Sequence, residues 1–359
     1  MRRLYTAREN LILLFTAIVL TIVGIIFIYD FTKSDNAYCI ETFYLIRQST
    51  YAVCGLVCAF LLSRFDYHRL YTIYLWIFFM AVAIIILNFA MNLGGSNRGY
   101  FQIGSVWINM SQLILTVSIL MFVGILQHEN IFSVKAVSCC LAFAALFCLI
   151  GDFQGMMLFA IIIFPIAFIK EWKAALTFAA PAAAGIICII QKRYYVPKRI
   201  DVWLDPFMER YDLGYEIVNS MYSIASGGMF GVGVGEGKTA YCLPDAHSTY
   251  IIAGITREIG WFGAFEILFV YCIFLGAAFK IACRSVDKYG FYIAAAITVR
   301  YSVMLILHLF TAANMIPAFG VFLPFISYNG TGLLTDFALL GILLNIARQK
   351  AENDRRMGI

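Results

Sequence analysis

The amino-acid sequence predicts an all-α membrane protein, a polytopic bundle of about ten transmembrane helices with a long extracytoplasmic loop between spans seven and eight. Three observations carry this. Hydrophobic residues make up 62% of the chain and charged residues 13%, against about a quarter charged in soluble domains, and mean hydropathy is +0.84. Apolar runs of about 17–25 residues, long enough to cross hydrocarbon, recur along the chain. Basic residues gather in alternate connections, the bias that orients polytopic proteins.

The first run, Leu11 to Tyr29, follows Arg2, Arg3 and Arg8. It is too long for a signal-peptide core and lacks a small-residue cleavage site, so it is expected to remain as an anchor. Ser49 to Ser63 is a shorter candidate, followed by full-length runs at Leu70 to Ala90 and Met110 to Leu126. Ala136 to Ile150 and Gly155 to Ile169 are again short, and Ala174 to Ile190 makes the seventh span. Trp261 to Phe279, Phe291 to Phe310 and Leu333 to Ile346 with its flanks complete the series.

With the N-terminus inside, the inner segments hold Arg2, Arg3, Arg8, Arg64, Arg69, Lys135, Lys170, Lys173, Lys280, Arg284, Lys288, Arg348, Lys350, Arg355 and Arg356. The short outer loops hold only Lys33, Arg47 and Arg98, so both termini are expected in the cytoplasm. The exception is Gln191 to His247, with Lys192, Arg193, Lys198, Arg199, Arg210 and Lys238. Long loops are weakly governed by the charge rule. Two readings stand: a tolerated surface loop, or cations that meet an anionic lipid headgroup such as a diphosphate.

Eight of the ten cysteines lie in or beside apolar runs, where cysteine acts as a small hydrophobe. Cys39 and Cys242 fall in expected outer loops. The four histidines are scattered, and neither a Cys-x-x-Cys nor a phosphate-binding glycine loop is present, so the sequence supplies no metal site.

One membrane domain over 1–359 is expected, with an extracytoplasmic loop at 191–247 and a re-entrant-like outer loop at 312–330. Irregular backbone at membrane depth survives only when buried in protein or lining a wet cavity. The glycines Gly227, Gly228, Gly231, Gly233, Gly235 and Gly237 and the Pro317 to Asn329 loop are therefore expected to wall an outward-facing cavity. Glu266, Arg300 and Asp336 lie within apolar runs and should face the bundle interior. Arg300 shares a helical face with His308 and is expected to clamp spans eight and nine through Glu266 or Glu258.

Three dense motif stretches lie in the C-terminal half. The first is Gly214-Tyr215 with Asn219-Ser220, leading to Ser226-Gly227-Gly228; the second is Leu243-Pro244-Asp245-Ala246-His247-Ser248-Thr249-Tyr250, followed by Glu258 and Gly260. The third is Leu323-Pro324-Phe325-Ile326-Ser327-Tyr328-Asn329-Gly330. In this order and spacing they resemble the SEDS family (shape, elongation, division and sporulation; FtsW/RodA/SpoVE), whose signature reads Pro-Phe-Ile-Ser-Tyr-Gly-Gly. The N-terminal half is a looser likeness. Gly95 to Arg98 is similar to the family's Gly-Ala-Arg-Arg-Trp loop, and Asp152 to the aspartate of its Pro-Asp-Leu-Gly-Thr element. Gln112 stands where glutamate is usual and Leu115 where lysine is common.

The resemblance implies peptidoglycan assembly in division, elongation or sporulation. SEDS proteins join lipid II units into glycan strands outside the cytoplasmic membrane, beside a class B penicillin-binding protein, with membrane lipid and no nucleic acid as further partners. A divalent cation is a candidate cofactor by the same likeness. A sugar hydroxyl must attack an anomeric carbon as a lipid diphosphate leaves, which calls for a carboxylate base and for cations on the leaving charge. Arg98, Lys192, Arg193, Lys198 and Arg199 are candidate cations, and Glu258, Pro324, Ser327 and Tyr328 further substrate-binding positions. The family's catalytic aspartate position is Thr249, whose hydroxyl is no base near neutral pH. Asp245, four residues upstream, is the substitute base if the segment is helical, and His247 is either catalytic or a brace of the loop. Pro324 fixes its own φ and reads as a turn former. Three readings stay open: a polymerase using Asp245, a non-polymerising relative that binds lipid-linked precursor or a partner, and a flippase. An unrelated secondary transporter would show inverted repeats, and none is apparent.

Overall fold

The computed structural model describes residues 2–32, 38–69, 100–103, 106–128, 134–150, 152–171, 195–212, 214–236, 245–318 and 320–356, with isolated positions at 76, 79–80, 82–83 and 243. Among them the chain forms ten α-helices: α1 (Arg2–Phe31), α2 (Tyr38–Arg64), α3 (Met110–His128), α4 (Val134–Ile150), α5 (Phe153–Lys170), α6 (Tyr195–Leu204), α7 (Tyr215–Gly227), α8 (Ile251–Cys283), α9 (Lys288–Ala312) and α10 (Gly330–Arg356). Six of these, α1, α2, α3, α8, α9 and α10, are long and apolar enough to cross a membrane. Helices α4 and α5 carry the two short expected spans. The expected spans at 174–190 and, but for the isolated positions, 70–90 lie outside the described residues.

The second span is longer than its apolar run. Arg47, Gln48 and Ser49 interrupt the hydrophobicity without breaking the helix, and the membrane-length stretch is Thr42–Arg64. Arg47, expected in a short loop, is therefore a helical residue. The all-α expectation also needs one addition, a hairpin of β1 (Tyr100–Ile103) and β2 (Val106–Asn109) just before α3. Its antiparallel register pairs Tyr100 with Asn109 and Ile103 with Val106. Aromatic and β-branched residues around Gly104-Ser105 are the sequence signal for it. The long loop between expected spans seven and eight is not irregular throughout, since it contains α6 and α7.

Helices α3 and α10 are interior, with 78% of each apolar window buried against 22% for α2. Helix α10 packs on α1, α2, α3 and α9, while α8 packs on α1, α7 and α9. Close approach of α2 and α10 depends on small residues, as at helix contacts in membranes generally. A Cβ on Gly341 would stand 2.6 Å from the Ala59 carbonyl oxygen, a backbone atom that cannot swing aside.

After α9 the chain runs to α10 through the loop expected to be re-entrant-like, and several of its backbone polar groups find protein partners. The His308 ring Nδ1 donates to the Val321 carbonyl at 2.7 Å. The Tyr271 hydroxyl donates to the Pro324 carbonyl. Phe325 N–H donates to Asp336 Oδ2 at 3.3 Å and Leu323 N–H to Ser327 Oγ at 2.9 Å. Phe325 sits at φ 64, unusual for a bulky side chain. Ring contacts with Phe274 (5.4 Å), Tyr301 (5.5 Å) and Phe337 (5.4 Å) hold it there.

The same Asp336 accepts from Arg300 Nη1 at 2.7 Å, and both residues are buried. This corrects the expected partner of Arg300, because the clamp joins α9 to α10 rather than to α8. Glu266 does not face the interior; it is exposed on α8 beside the exposed Phe262, Phe265 and Phe269. Glu258 is buried, but against the glycine segment before α8.

Two stability tests follow from this packing. Gly341→Val should force α2 and α10 apart and destabilise by about 1–3 kcal/mol, the usual cost of overpacking. Gly276→Ala, with nothing within 4 Å of the added Cβ, should leave the thermal midpoint of detergent-purified protein within error. Equal midpoints for the two variants would refute the close contact. Arg300→Met should cost about 3–5 kcal/mol by leaving Asp336 unpaired. Adding Asp336→Leu should recover part of the loss, and a double variant no better than the single would show that the pair is not the clamp.

Candidate functional site

The segment before α8 is built of turns. Asp245 takes φ 51, a left-handed conformation that Asp tolerates better than most residues. Its carbonyl accepts from Ser248 N at 2.9 Å and Tyr250 N at 3.3 Å. The segment is therefore not the helical turn on which a four-residue alignment of Asp245 with Thr249 was expected. Helix proper begins at Ile251.

This turn is tied to the loop between α9 and α10. Tyr328 N donates to the His247 carbonyl at 2.8 Å. Ser327 Oγ donates to the Ser248 carbonyl at 2.7 Å, and Gln48 of α2 reaches the Ser327 carbonyl at 3.4 Å. The rings of Tyr44, His247 and Tyr328 close a triangle, with centroids 5.1, 4.7 and 5.7 Å apart. Asn329 caps α10 by accepting from Gly332 N at 3.0 Å. An amide side chain thus serves where the family signature has glycine.

These three walls enclose a cavity of about 790 Å³. Phe43, Tyr44, Arg47 and Tyr51 line it from α2, and Asn109 from the end of β2 just before α3. Asp245, His247, Ser248 and Thr249 line it from the turn, and Phe322, Tyr328, Asn329 and Gly330 from the loop. Asp245 is exposed and Thr249 half-buried. Burial lowers the His247 imidazole pKa below the usual histidine range, partly offset by the charge of Asp245. Burial raises the Tyr328 phenol, opposed by a hydrogen bond with Arg47. The ring is thus neutral near pH 7, and the phenol keeps its proton.

The structure brings together Asp245, His247, Thr249 and Tyr328. Ser327 and Pro324 stand behind the wall, bracing the turn and the loop. Glu258 lies away from the cavity: its carboxylate accepts from Gly235 N at 3.4 Å and its carbonyl from Gly233 N at 3.0 Å. The described glycines expected to wall the cavity instead run beside a break in α8. Gly260 has φ 74, and a Cβ there would strike the backbone of Gly231 and Met229. Arg199 of α6 donates to the Ala318 carbonyl, and Lys198 is exposed on the same helix. Arg98, Lys192 and Arg193 lie outside the described residues.

Gln112 and Leu115 are buried inside the bundle, with Gln112 N–H capped by Asn109 Oδ1 at 3.3 Å. Asp152 caps α5 by accepting from Gly155 N at 3.0 Å. The cavity residue that sequence reasoning missed is Arg47, whose guanidinium lies 3.9 Å from the Phe43 ring centroid. Its only signal was a cation at the polar end of a short apolar run. Among the described residues no group of three or more His, Cys, Asp or Glu forms a cation site. Asp245 and His247 alone do not make one in the cavity.

Known proteins resemble this chain along nearly its whole length. The probable peptidoglycan glycosyltransferase FtsW of Trichlorobacter lovleyi is 27% identical over 376 residues, covering 95% of this chain and 93% of that one. Stage V sporulation protein E of Bacillus subtilis is 26% identical over 359 residues, covering 96% and 98%. A chain from a peptidoglycan synthase complex that coordinates polymerization and crosslinking shares the fold, with TM-score 0.76, 20% identity and coverage of 94% and 97%. The family model for the FtsW/RodA/SpoVE cell cycle proteins matches residues 10–352, and the chain belongs to that family.

Proposed function

We propose that this chain serves peptidoglycan assembly as a multi-pass membrane protein that holds a lipid-linked disaccharide-peptide precursor, lipid II, in the cavity between α2, the 245–250 turn and the Tyr328 loop. The observation that carries this reading is that two separate motif stretches meet to wall one cavity of about 790 Å³. Relatives named as peptidoglycan glycosyltransferases and a structural neighbour from a synthase complex support it. A class B penicillin-binding protein is the expected partner.

Strand synthesis needs a carboxylate to take the proton of the attacking hydroxyl, and general-base help is worth about 10²–10⁴ in rate. Thr249 offers a hydroxyl at the family's aspartate position. We therefore read the protein as a precursor binder that does not polymerise by itself. One observation favours a second reading: Asp245 lies in the same cavity, the one carboxylate among its described lining residues.

Purified protein assayed with lipid II separates these. The first reading expects binding with little strand synthesis, and Thr249→Asp should raise synthesis by an order of magnitude or more. The second expects synthesis by the native protein and its loss in Asp245→Asn at unchanged expression. Folded protein that does not bind lipid II would sink both.

The cavity end is proposed to face outward, with both termini cytoplasmic, because basic residues concentrate at the opposite end. In a cysteine-free background, Met208→Cys should label in intact cells and Val286→Cys only after permeabilisation. The reverse pattern would invert the topology.

A further inference from the structure

The ion pair that joins α9 to α10 uses only part of the Arg300 guanidinium. Nη1 donates to Asp336 Oδ1 at 2.7 Å, whereas Nε and Nη2, equally shut away from solvent, find no partner among the described residues. Two more orphaned polar atoms belong to residues that line the same interior space, Gln112 Oε1 and Asn329 Nδ2. Buried polar groups without a partner are rare in proteins, and charged ones are the costliest to leave unpaired. Their gathering around one space points to a ligand that bridges them.

Size, charge and donor pattern identify that ligand. The space admits a water-sized sphere over about 10 Å³, and about 10–15 Å³ of such space holds one water molecule. Arg300 and Asp336 are the charged residues among its described lining, and they cancel. A bare ion would add an unbalanced charge at membrane depth, which is costly. Asn329 Oδ1 is taken by Gly332 N at 3.0 Å, which leaves the amide N–H groups of Asn329 as its free end. Arg300 and Asn329 therefore offer donors, and Gln112 offers a carbonyl oxygen. One water accepts from the first two and donates to the third, the roughly three hydrogen bonds typical of a buried water.

We propose that Arg300, Gln112 and Asn329 hold one buried water molecule, which completes the clamp between α9 and α10 and ties it to α3. Two of the three holders are this chain's own departures from its family: Gln112 stands where glutamate is usual, and Asn329 where the signature has glycine. The site is thus particular to this chain. An uncharged acceptor on α3 and an amide donor at the N-terminus of α10 satisfy the arginine, through water, without a second acid. Phe322 and Asn329 line both this space and the outer cavity, so the water exchanges with the outer cavity past these two side chains. The site is independent of what the outer cavity binds.

The test is a crystal structure of the full-length native protein, grown in lipid, at a resolution that shows ordered water. It should hold one peak within about 3 Å of an Arg300 nitrogen, Gln112 Oε1 and Asn329 Nδ2. Direct contact of Gln112 with Arg300 and no peak between them would overturn the proposal. So would an anomalous signal at the peak after chloride is exchanged for bromide, because the ligand would then be an ion. In solution, Gln112→Leu and Asn329→Ser, the latter keeping an oxygen to cap α10, should each lower the thermal midpoint by about 2–4 °C. The double variant should fall no further than the worse single one, since the water is lost only once. Midpoint losses that add as for independent sites, or an unchanged midpoint in either single variant, would refute a shared water.

Discussion

The buried pair of Arg300 and Asp336 is the contact on which the cavity end of the bundle depends. Each charge alone would be costly at membrane depth, and the two pair at 2.7 Å through Arg300 Nη1 and Asp336 Oδ1. Asp336 then uses its second oxygen to accept from Phe325 N–H, and its backbone carbonyl accepts from Tyr301. One carboxylate therefore fixes α9 to α10 and pins a non-helical loop between them. Gln112, where the family has glutamate, lines the same small interior space as Arg300 and Asp336. A second acid there would face a single arginine. With Leu115 in place of lysine as well, the two substitutions remove one charge of each sign, and the interior stays balanced around one pair.

From that anchor the wall of the cavity is assembled outward. The chain places Val321, Pro324 and Phe325 against His308, Tyr271 and Asp336. Only then do Ser327 and Tyr328 reach the 245–250 turn. The positive φ at Phe325 is tolerated because three rings and a hydrogen bond over-determine its place. Most residues of the third motif stretch thus act as joinery, which explains why proline, phenylalanine and serine recur there without reactive chemistry of their own. Tyr328 alone faces both the joint and the cavity.

Helices with long apolar runs were legible in the sequence because hydrocarbon thickness imposes length and composition together. The short run at Ser49 to Ser63 shows where that logic weakens: a helix can carry Arg47 and Gln48 through its first turns when they face a cavity and a neighbouring loop. Partners of buried charges were less legible. Composition told that Arg300 needed an acid, but three acids lay within reach of the argument, and only the packing of α9 on α10 selects Asp336. Glu266 failed for a related reason, since hydropathy gives depth along a helix but not the direction a side chain points. Gly228, Gly231, Gly233 and Gly235 do lie in irregular backbone with positive φ, but their place is set by the break at Gly260, a tertiary fit that no local pattern encodes.

The chemistry of the cavity turns on how its few charges are spread. Arg47 enters from α2, Asp245 from the turn, and Thr249 adds a hydroxyl without charge. His247 is held below its usual pKa by burial, with Asp245 only partly opposing, so near neutral pH the imidazole contributes hydrogen bonding and not a second cation. An anion in the cavity would therefore meet attraction at the α2 wall and repulsion from Asp245 at the other. A carboxylate at position 249 would set a second negative charge beside Asp245 in the same turn. Threonine avoids that repulsion and keeps a polar side chain on the cavity wall.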